Sequence, residues 1–533
     1  MKKKTAIIIA AILILSLFSS ACSSGRKSYD ETRYPDTQGI PTTEPGAPSS
    51  NSPGYWASDS NTLPGESYLV IDENNKTLTG DDSTLTFSLK VDTASYNNVE
   101  RYIGSGNIPP RDAVRTEELI NYFRYDSDFY FNSGPFSIYA EVAPSPINDE
   151  KYMALVRVKT PEIDKSDLPP SSLTFLIDSS GSMSSYDKLP LLKESLALLV
   201  ETLGEDDVVS IVTYAGASRI VLDSVSGADK RRITDAIDSL RAGGSTAGGE
   251  GIVTAYRLAE KNFLPEGNNR VILATDGDFN VGVSSNTELS RLIKEKKESG
   301  VYLSILGFGM GNIRDDLMET LSKDGNGNYS YINSLRTAQK VLVEELTGNL
   351  FTVADDVKAQ VEFNPYNVKS YRLIGYENRM MSDRDFADDT KDAGEIGAGT
   401  DVIILFEVEL YDPPNGVDLK YQNTPADRAP DPDSPYPDEL FEVRIRYKDP
   451  GESVSKLIVY PIKLENINTH GSSDFNFACS VAAFADLLRD SMYADPVTPE
   501  RLLSIAEDNL GKDNGGYRSD FLTLLHQYSV ISR

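Results

Sequence analysis

Between Ser171 and about Leu350, short apolar runs alternate with longer amphipathic stretches. The apolar runs are LTFLID, DVVSIVTYA, RVILATDG and VYLSILGFG. In the first amphipathic stretch, leucines recur at steps of three and four residues and so share one face of a helix: Leu189, Leu192, Leu196, Leu199 and Leu203. Nearly continuous apolar strands that alternate with helices predict a mainly parallel sheet covered on both faces. We therefore expect an α/β, doubly wound, Rossmann-like domain over residues 171–350.

The two flanks of this domain have a different pattern. Residues 67–170 mix strand-like and helical segments. Residues 351–533 begin with alternating strands such as DVIILFEVEL and end in a helical tail. We therefore predict that the doubly wound domain is inserted between an N-terminal mixed α/β flanking region and a β-rich C-terminal region.

The first 22 residues have the layout of an export signal. Three lysines precede an apolar run from Ala6 to Phe18, and small residues lead to Cys22. The run is too short and too early for a spanning helix. It resembles a bacterial lipoprotein signal, which implies that residues 1–21 are removed and that Cys22 carries a lipid. Ordinary secretion and an uncleaved anchor are the alternatives.

Residues 22–66 contain mainly Ser, Pro, Thr, Gly and Asp and very few aliphatic side chains. Such a segment cannot bury enough apolar surface to fold, which indicates a disordered tether. With the lipidated Cys22, it predicts an extracytoplasmic protein that is anchored to the bacterial cell membrane or outer envelope.

The chain is strongly acidic, with a formal net charge of -29 and a sequence pI near 4.5. This charge repels phosphate backbones and anionic lipids, which disfavours nucleic acid as a partner. The glycine-rich GGSTAGGEG lacks the lysine of a phosphate loop, so a nucleotide is disfavoured as well. Solubility alone is another explanation of the bulk charge.

Oxygen-bearing side chains follow two of the apolar strands. Asp178 ends one strand and is followed by Ser180 and Ser182, and Asp276 ends another. Thr246 lies between them in a glycine-rich loop ahead of a helix. Ligands of doubly wound sheets bind at the carboxyl ends of the strands, where these side chains can converge. Oxygen donors without His or Cys suit Mg²⁺ or another hard divalent ion and not Zn²⁺.

These five residues, in this order and on these elements, resemble the metal-ion-dependent adhesion site of von Willebrand factor type A domains. The resemblance implies a Mg²⁺ or Mn²⁺ ion bound directly by Ser180 and Ser182. It implies that Thr246 binds directly or through water, and that Asp178 and Asp276 bind largely through water. An Asp or Glu carboxylate of a partner protein would complete the shell.

The flanks resemble the regions that bracket this domain in a family of bacterial von Willebrand factor type A lipoproteins. The segments that carry this resemblance are VDTASYNNVERYIGSGNIPPRDAVRTEELINYF, DAGEIGAG, SSDFNFACSVAAFADLLRDS and GGYRSDFLTLL. The predicted function is therefore a non-enzymatic, membrane-anchored module that binds a protein ligand.

Two alternatives remain at this point. A divalent ion beside serines can also activate water in a hydrolase. Against this, His470 and His526 are the two histidines, both lie far from the site in sequence, and no GxSxG surrounds either serine. The second alternative is a metal that only links loops.

Overall fold

The structure is a computed structural model, and it describes the greater part of the folded chain. The described residues are 61–126, 134–164, 167–244, 248–277, 286–345, 348, 350–411 and 436–533. The predicted signal, Cys22 and residues 22–60 of the predicted tether lie outside the described residues.

The described strands alternate with helices only in the middle of the chain. In chain order the strands are β1 (Thr77–Leu78), β2 (Thr84–Ser88), β3 (Ser137–Pro144), β4 (Tyr152–Lys159), β5 (Ser171–Asp178), β6 (Val208–Tyr214), β7 (Ser218–Ser226), β8 (Asn268–Thr275), β9 (Tyr302–Phe308), β10 (Tyr329–Ile332), β11 (Thr352–Phe363), β12 (Val368–Ile374), β13 (Met380–Met381), β14 (Ile396–Gly397), β15 (Asp401–Leu410), β16 (Glu439–Lys448) and β17 (Lys456–Lys463).

The described α-helices lie on both sides of the central sheet and at the end of the chain. In chain order they are α1 (Ala94–Gly104), α2 (Thr116–Ile120), α3 (Leu189–Thr202), α4 (Lys230–Ser239), α5 (Gly248–Lys261), α6 (Asn286–Lys297), α7 (Asp315–Asp324), α8 (Leu335–Gln339), α9 (Ser473–Arg489), α10 (Pro499–Asp508) and α11 (Tyr517–Ile531). A π-helical turn, Lys340–Glu344, continues α8.

The central domain contains a sheet in the order β10-β9-β8-β5-β6-β7. Its described pairs are parallel except that β7 runs antiparallel to β6. Every residue of β5 is buried, because helices cover both faces of the sheet. The predicted doubly wound α/β fold is confirmed.

The two flanks of the chain build one β-sandwich together. Strand β2 pairs with β11, and β4 pairs with β15, so segments before and after the central domain share both sheets. The sheet orders are β1-β12-β15-β4-β3 and β13-β2-β11-β16-β17. Their facing side chains form one apolar core that includes Phe87, Val156 and Ile404. The sequence predicted the insertion but not this sharing of strands.

The predicted helical tail is also confirmed. Helices α9, α10 and α11 pack with α1 and α2 in one apolar cluster, which includes Phe123, Phe477 and Phe521. Cys479 is buried in α9, where it acts as a small apolar residue. None of the helices in the described ranges combines the length and apolar character needed to cross a membrane.

Candidate metal-binding site

The site begins where β5 ends and the chain turns sharply. The Ser180 backbone N–H donates to Asp178 Oδ1 at 2.8 Å, which fixes the turn. A 3₁₀ turn, Gly181–Ser184, then brings the Ser180 and Ser182 hydroxyl oxygens within 2.8 Å of each other. Asp178 and Ser180 are buried, whereas Ser182 is exposed. The serines therefore present two adjacent oxygens at the rim of a buried carboxylate.

The second oxygen of Asp178 is held by neighbouring strands. Asp178 Oδ2 accepts hydrogen bonds from Tyr214 OH at 3.2 Å and from Thr275 Oγ1 at 3.4 Å. Burial raises the pKa of Asp178 to about 6, against hydrogen bonds from Ser180 that lower it. The carboxyl group is consequently fixed in one orientation and is largely ionised at neutral pH.

Asp276 lies directly after β8, next to β5 in the sheet, and its side chain is fully buried. Burial alone would raise the pKa of Asp276, but hydrogen bonds from Lys188, Asn312 and Ser182 hold it below its ordinary value. The bond with Ser182 joins the two strand ends, so the structure brings Asp178, Ser180, Ser182 and Asp276 together.

The predicted ligand Thr246 lies outside the described residues. The glycines just before it are hydrogen-bonded to the turn that follows β5. Gly243 N donates to Ser179 O at 2.8 Å, and Gly181 N donates to Gly244 O at 3.1 Å. The described chain therefore approaches the site two residues before Thr246.

The donor set fits a hard divalent cation. Within the described ranges, no group of three or more His, Cys, Asp or Glu side chains is arranged to hold a metal. The oxygens that converge here belong to two serines and two aspartates. Neighbouring ligands of octahedral Mg²⁺ at 2.0–2.1 Å from the ion are about 2.9 Å apart. The 2.8 Å between Ser180 Oγ and Ser182 Oγ suits two such positions.

Two residues that the sequence did not predict also belong to the site. Lys188 Nζ donates to Asp276 Oδ2 at 2.8 Å and to Asn312 Oδ1 at 3.1 Å. Asn312 lies between β9 and α7, in the loop of residues 309–314, which we call the 309–314 loop. The glycines of GFGMGN, at another carboxyl strand end, could have indicated this loop. Lys188 gives no such signal, because a loop lysine is ordinarily solvated.

The histidines do not join the site in the described structure. His470 is exposed in the connection between β17 and α9, and His526 is exposed on α11. In the part of the chain that the structure describes, neither donates to or accepts from Ser180 or Ser182.

Three family models match the chain along most of its described length. Residues 172–345 match "von Willebrand factor type A domain", and residues 62–156 match "von Willebrand factor". Residues 348–531 match "Uncharacterized protein YfbK, C-terminal". The central match coincides with the doubly wound domain and includes all five predicted ligands.

Curated relatives cover different shares of the chain. "Uncharacterized protein YfbK" of Escherichia coli is 43% identical over 465 residues, which are 86% of this chain and 80% of that protein. Inter-alpha-trypsin inhibitor heavy chain H2 of Homo sapiens is 27% identical over 172 residues, 31% of this chain and 18% of that protein. The likeness to the heavy chain is thus confined to a small part of it.

Solved structures resemble the chain at low sequence identity. A von Willebrand factor type A protein from Catenulispora acidiphila is 16% identical, covers 76% of this chain and 98% of its own, and has a TM-score of 0.41. The ArnB paralog VWA2 from Sulfolobus acidocaldarius is 15% identical, covers 74% and 97%, and has a TM-score of 0.35.

Proposed function

Because the chain belongs to the family of the Escherichia coli protein YfbK and contains a von Willebrand factor type A domain, we propose that it is a non-enzymatic protein-binding module. Its A domain, residues 171–350, holds a Mg²⁺ or Mn²⁺ ion and binds an Asp or Glu carboxylate of a protein ligand. Lipidated Cys22 and the tether hold the module at the outside of the cell membrane or in the outer envelope.

The observation that carries this proposal is the convergence of Ser180, Ser182 and Asp276 around the fixed carboxyl of Asp178. When bound there, the ion supplies an electrophilic centre for one more oxygen ligand. Two neutral hydroxyls neutralise less of the ion's positive charge than two carboxylates would. Asp178 is fixed by Tyr214 and Thr275, so the direct positions fall to the serines.

Apolar side chains near the site favour a protein as the ligand. Tyr186 is 73% exposed in the loop between Ser182 and Lys188. Met310 is 46% exposed in the 309–314 loop. Tyr and Met are enriched in protein interfaces, and both side chains project from loops that form the site. A partner carboxylate flanked by apolar groups suits this surface, whereas a strongly acidic partner is repelled by the net charge.

A lack of histidine near the serines argues against the hydrolase alternative. General base catalysis at Ser180 or Ser182 needs a proton acceptor within hydrogen-bond reach. Asp178 already accepts bonds on both oxygens, from a backbone amide and from two hydroxyls. Asp276 accepts from Ser182, but the hydrogen bond from Lys188 holds its pKa below the ordinary value, which makes it a weak base. Stoichiometric binding without turnover is the behaviour that this arrangement supports.

Calorimetric titration of Mg²⁺ and of Mn²⁺ tests the metal site. Asp178→Asn and Ser180→Ala should abolish saturable one-site binding, because each removes an oxygen or the group that orients it. Ser184→Ala is the matched control, since it alters an exposed serine in the same turn and should bind as the wild type does. If Asp178→Asn and Ser180→Ala bind Mg²⁺ as tightly as the wild type and Ser184→Ala do, the proposed site is wrong.

Metal-dependent capture of a protein from bacterial envelope extract tests the ligand. Tyr186→Ala should weaken capture without changing the affinity for Mg²⁺, and EDTA should abolish capture. Tyr436→Ala changes a comparably exposed tyrosine next to β16 and serves as the control. Metal binding with metal-independent capture would support the alternative of a purely structural ion.

A further inference from the structure

An ammonium group occupies part of the candidate metal site. Lys188 Nζ lies 2.8 Å from Asp276 Oδ2, and the lysine is 7% exposed. Within the described ranges, Asp276 is the acid that forms an ion pair with Lys188. A positive charge therefore stands beside one of the two carboxylates that would attract a divalent cation.

The 309–314 loop is shaped to accommodate the stem of Lys188. Gly309 has a φ of +77°, and a Cβ atom there would clash with Lys188 Cε. The Gly309 carbonyl accepts a hydrogen bond from Tyr331 OH at 2.6 Å, which holds the loop in place. Any side chain at position 309 would displace the lysine side chain, so glycine at this position leaves the space that Lys188 needs.

The same loop is fixed from the N-terminal flank. Glu66 Oε1 accepts from Gly311 N at 2.9 Å, and Ser67 N donates to Ile313 O at 2.9 Å. Arg101 Nη1 in turn donates to Glu66 Oε1 at 2.8 Å. Asn312, the second acceptor for Lys188, is thus held between anchored neighbours, and the position of the ammonium is built into the fold.

This ammonium changes the charge that an incoming cation meets. Ionised Asp178 and Asp276 carry two negative charges, and Lys188 cancels one of them. A divalent ion entering the site is repelled by the ammonium at short range and meets Asp276 already paired. A carboxylate brought by a partner restores the missing negative charge.

We propose that Lys188 is an internal counter-cation that weakens binding of a divalent ion in the absence of a partner and so makes occupancy depend on the partner's carboxylate. This inference rests on the proposed function, because it concerns regulation of the same site. It assigns Lys188 a role at the site without making it a ligand of the metal.

The test uses the full-length chain in mild detergent, titrated calorimetrically with Mg²⁺ and Mn²⁺. Lys188→Met and Lys188→Gln should each bind at least about tenfold more tightly than the wild type, because a unit charge at hydrogen-bond distance changes ion affinity by such factors. Lys193→Gln, on helix α3 that follows Lys188, changes the net charge equally but lies outside the site and should bind as the wild type does.

A second readout is the thermal midpoint without metal. Lys188→Met should lower it, because Asp276 is left buried without its cation, and Mg²⁺ should raise it more than in the wild type. If the metal-free variants are unfolded, Mg²⁺-dependent refolding replaces the titration: refolding supports the proposal, and failure to refold at saturating Mg²⁺ contradicts it.

The outcomes separate this inference from the proposed function. Tighter binding by the Lys188 variants supports the inference, also where the wild type itself binds too weakly to measure. Wild-type binding with equal or weaker binding by the variants overturns the inference alone. Absence of binding in the wild type and in folded variants overturns both.

Discussion

Replacing Arg115 with methionine should destabilise the interface between the N-terminal flank and the A domain. Arg115 is 2% exposed and stands between Glu118 in α2 and Asp315 and Glu319 in α7. Its guanidinium lies 2.6 Å from Glu118 Oε1, 2.6 Å from Asp315 Oδ2 and 3.6 Å from Glu319 Oε2. Methionine fills a similar volume but leaves Glu118 and Asp315 without the guanidinium that pairs with them, whereas Glu319 Oε1 keeps Arg379 Nη2 at 3.8 Å.

The size of the effect follows from the burial of the acids. Removing one partner of a buried ion pair costs about 3–5 kcal/mol. At roughly 2 cal/mol/K of unfolding entropy per residue, the folded region that begins at residue 61 has about 1 kcal/mol/K in total, so the thermal midpoint should fall by about 4 °C.

The loss should also depend on pH. Burial raises the pKa of Glu118 to about 8 and raises that of Asp315, while Arg115 works against both. Without Arg115 both pKa values rise further, so the folded variant binds more protons than the unfolded chain above pH 4.5. Relative to wild type, the variant therefore loses stability as pH rises through the wild-type folded pKa values, and the difference should be larger at pH 9, above the pKa of Glu118, than at pH 5.

Calorimetric melting at pH 5 and pH 9 measures both effects. Arg231→Met is the control, because Arg231 is 93% exposed in an ion pair of 3.9 Å and should leave the midpoint unchanged. A midpoint within about 1 °C of wild type at pH 9 would refute the reasoning that Arg115 neutralises this cluster.

Burial raises the pKa of Glu395 to about 7, so the free energy of unfolding of the wild type should fall between pH 4.5 and 7 on its account. Glu395→Gln should remove at most about 3 kcal/mol of this fall, measured by urea unfolding at both pH values. Gly309→Ala should lower the thermal midpoint more than Gly106→Ala, which shares a positive φ but meets nothing within 4 Å, and equal losses would argue against the clash with Lys188. Glu66→Ala should speed hydrogen exchange of the Gly311 amide relative to β5 amides, and unchanged exchange would mean that other contacts hold the loop.

Part of the site could be predicted because its residues follow strand ends. Asp178 and Asp276 end neighbouring parallel strands, and such ends meet at one edge of a sheet whatever the surroundings are. The serines reach the same point through a local turn whose residues are contiguous. Thr246 stays a prediction, since it lies outside the described residues.

The folded region also includes residues 61–66, which the sequence assigned to the tether. Glu66 is 8% exposed and accepts hydrogen bonds from Arg101, Tyr68 and Tyr102. A single acid in a stretch with few aliphatic residues gives no local sign of burial, because its partners lie on α1 and just after the stretch.

By itself, the sequence determined the α/β class of the central domain and the convergence of its acids and serines, because helix and strand periodicity and parallel strand ends are local properties. Only the tertiary structure decided that β2 pairs with β11 and β4 with β15, since strands so far apart in the chain carry no local mark of their partners. It also decided that Lys188 lies beside Asp276. A loop lysine has the same local sequence whether solvated or buried, and its burial here depends on Gly309 and Asn312, which folding alone brings to it.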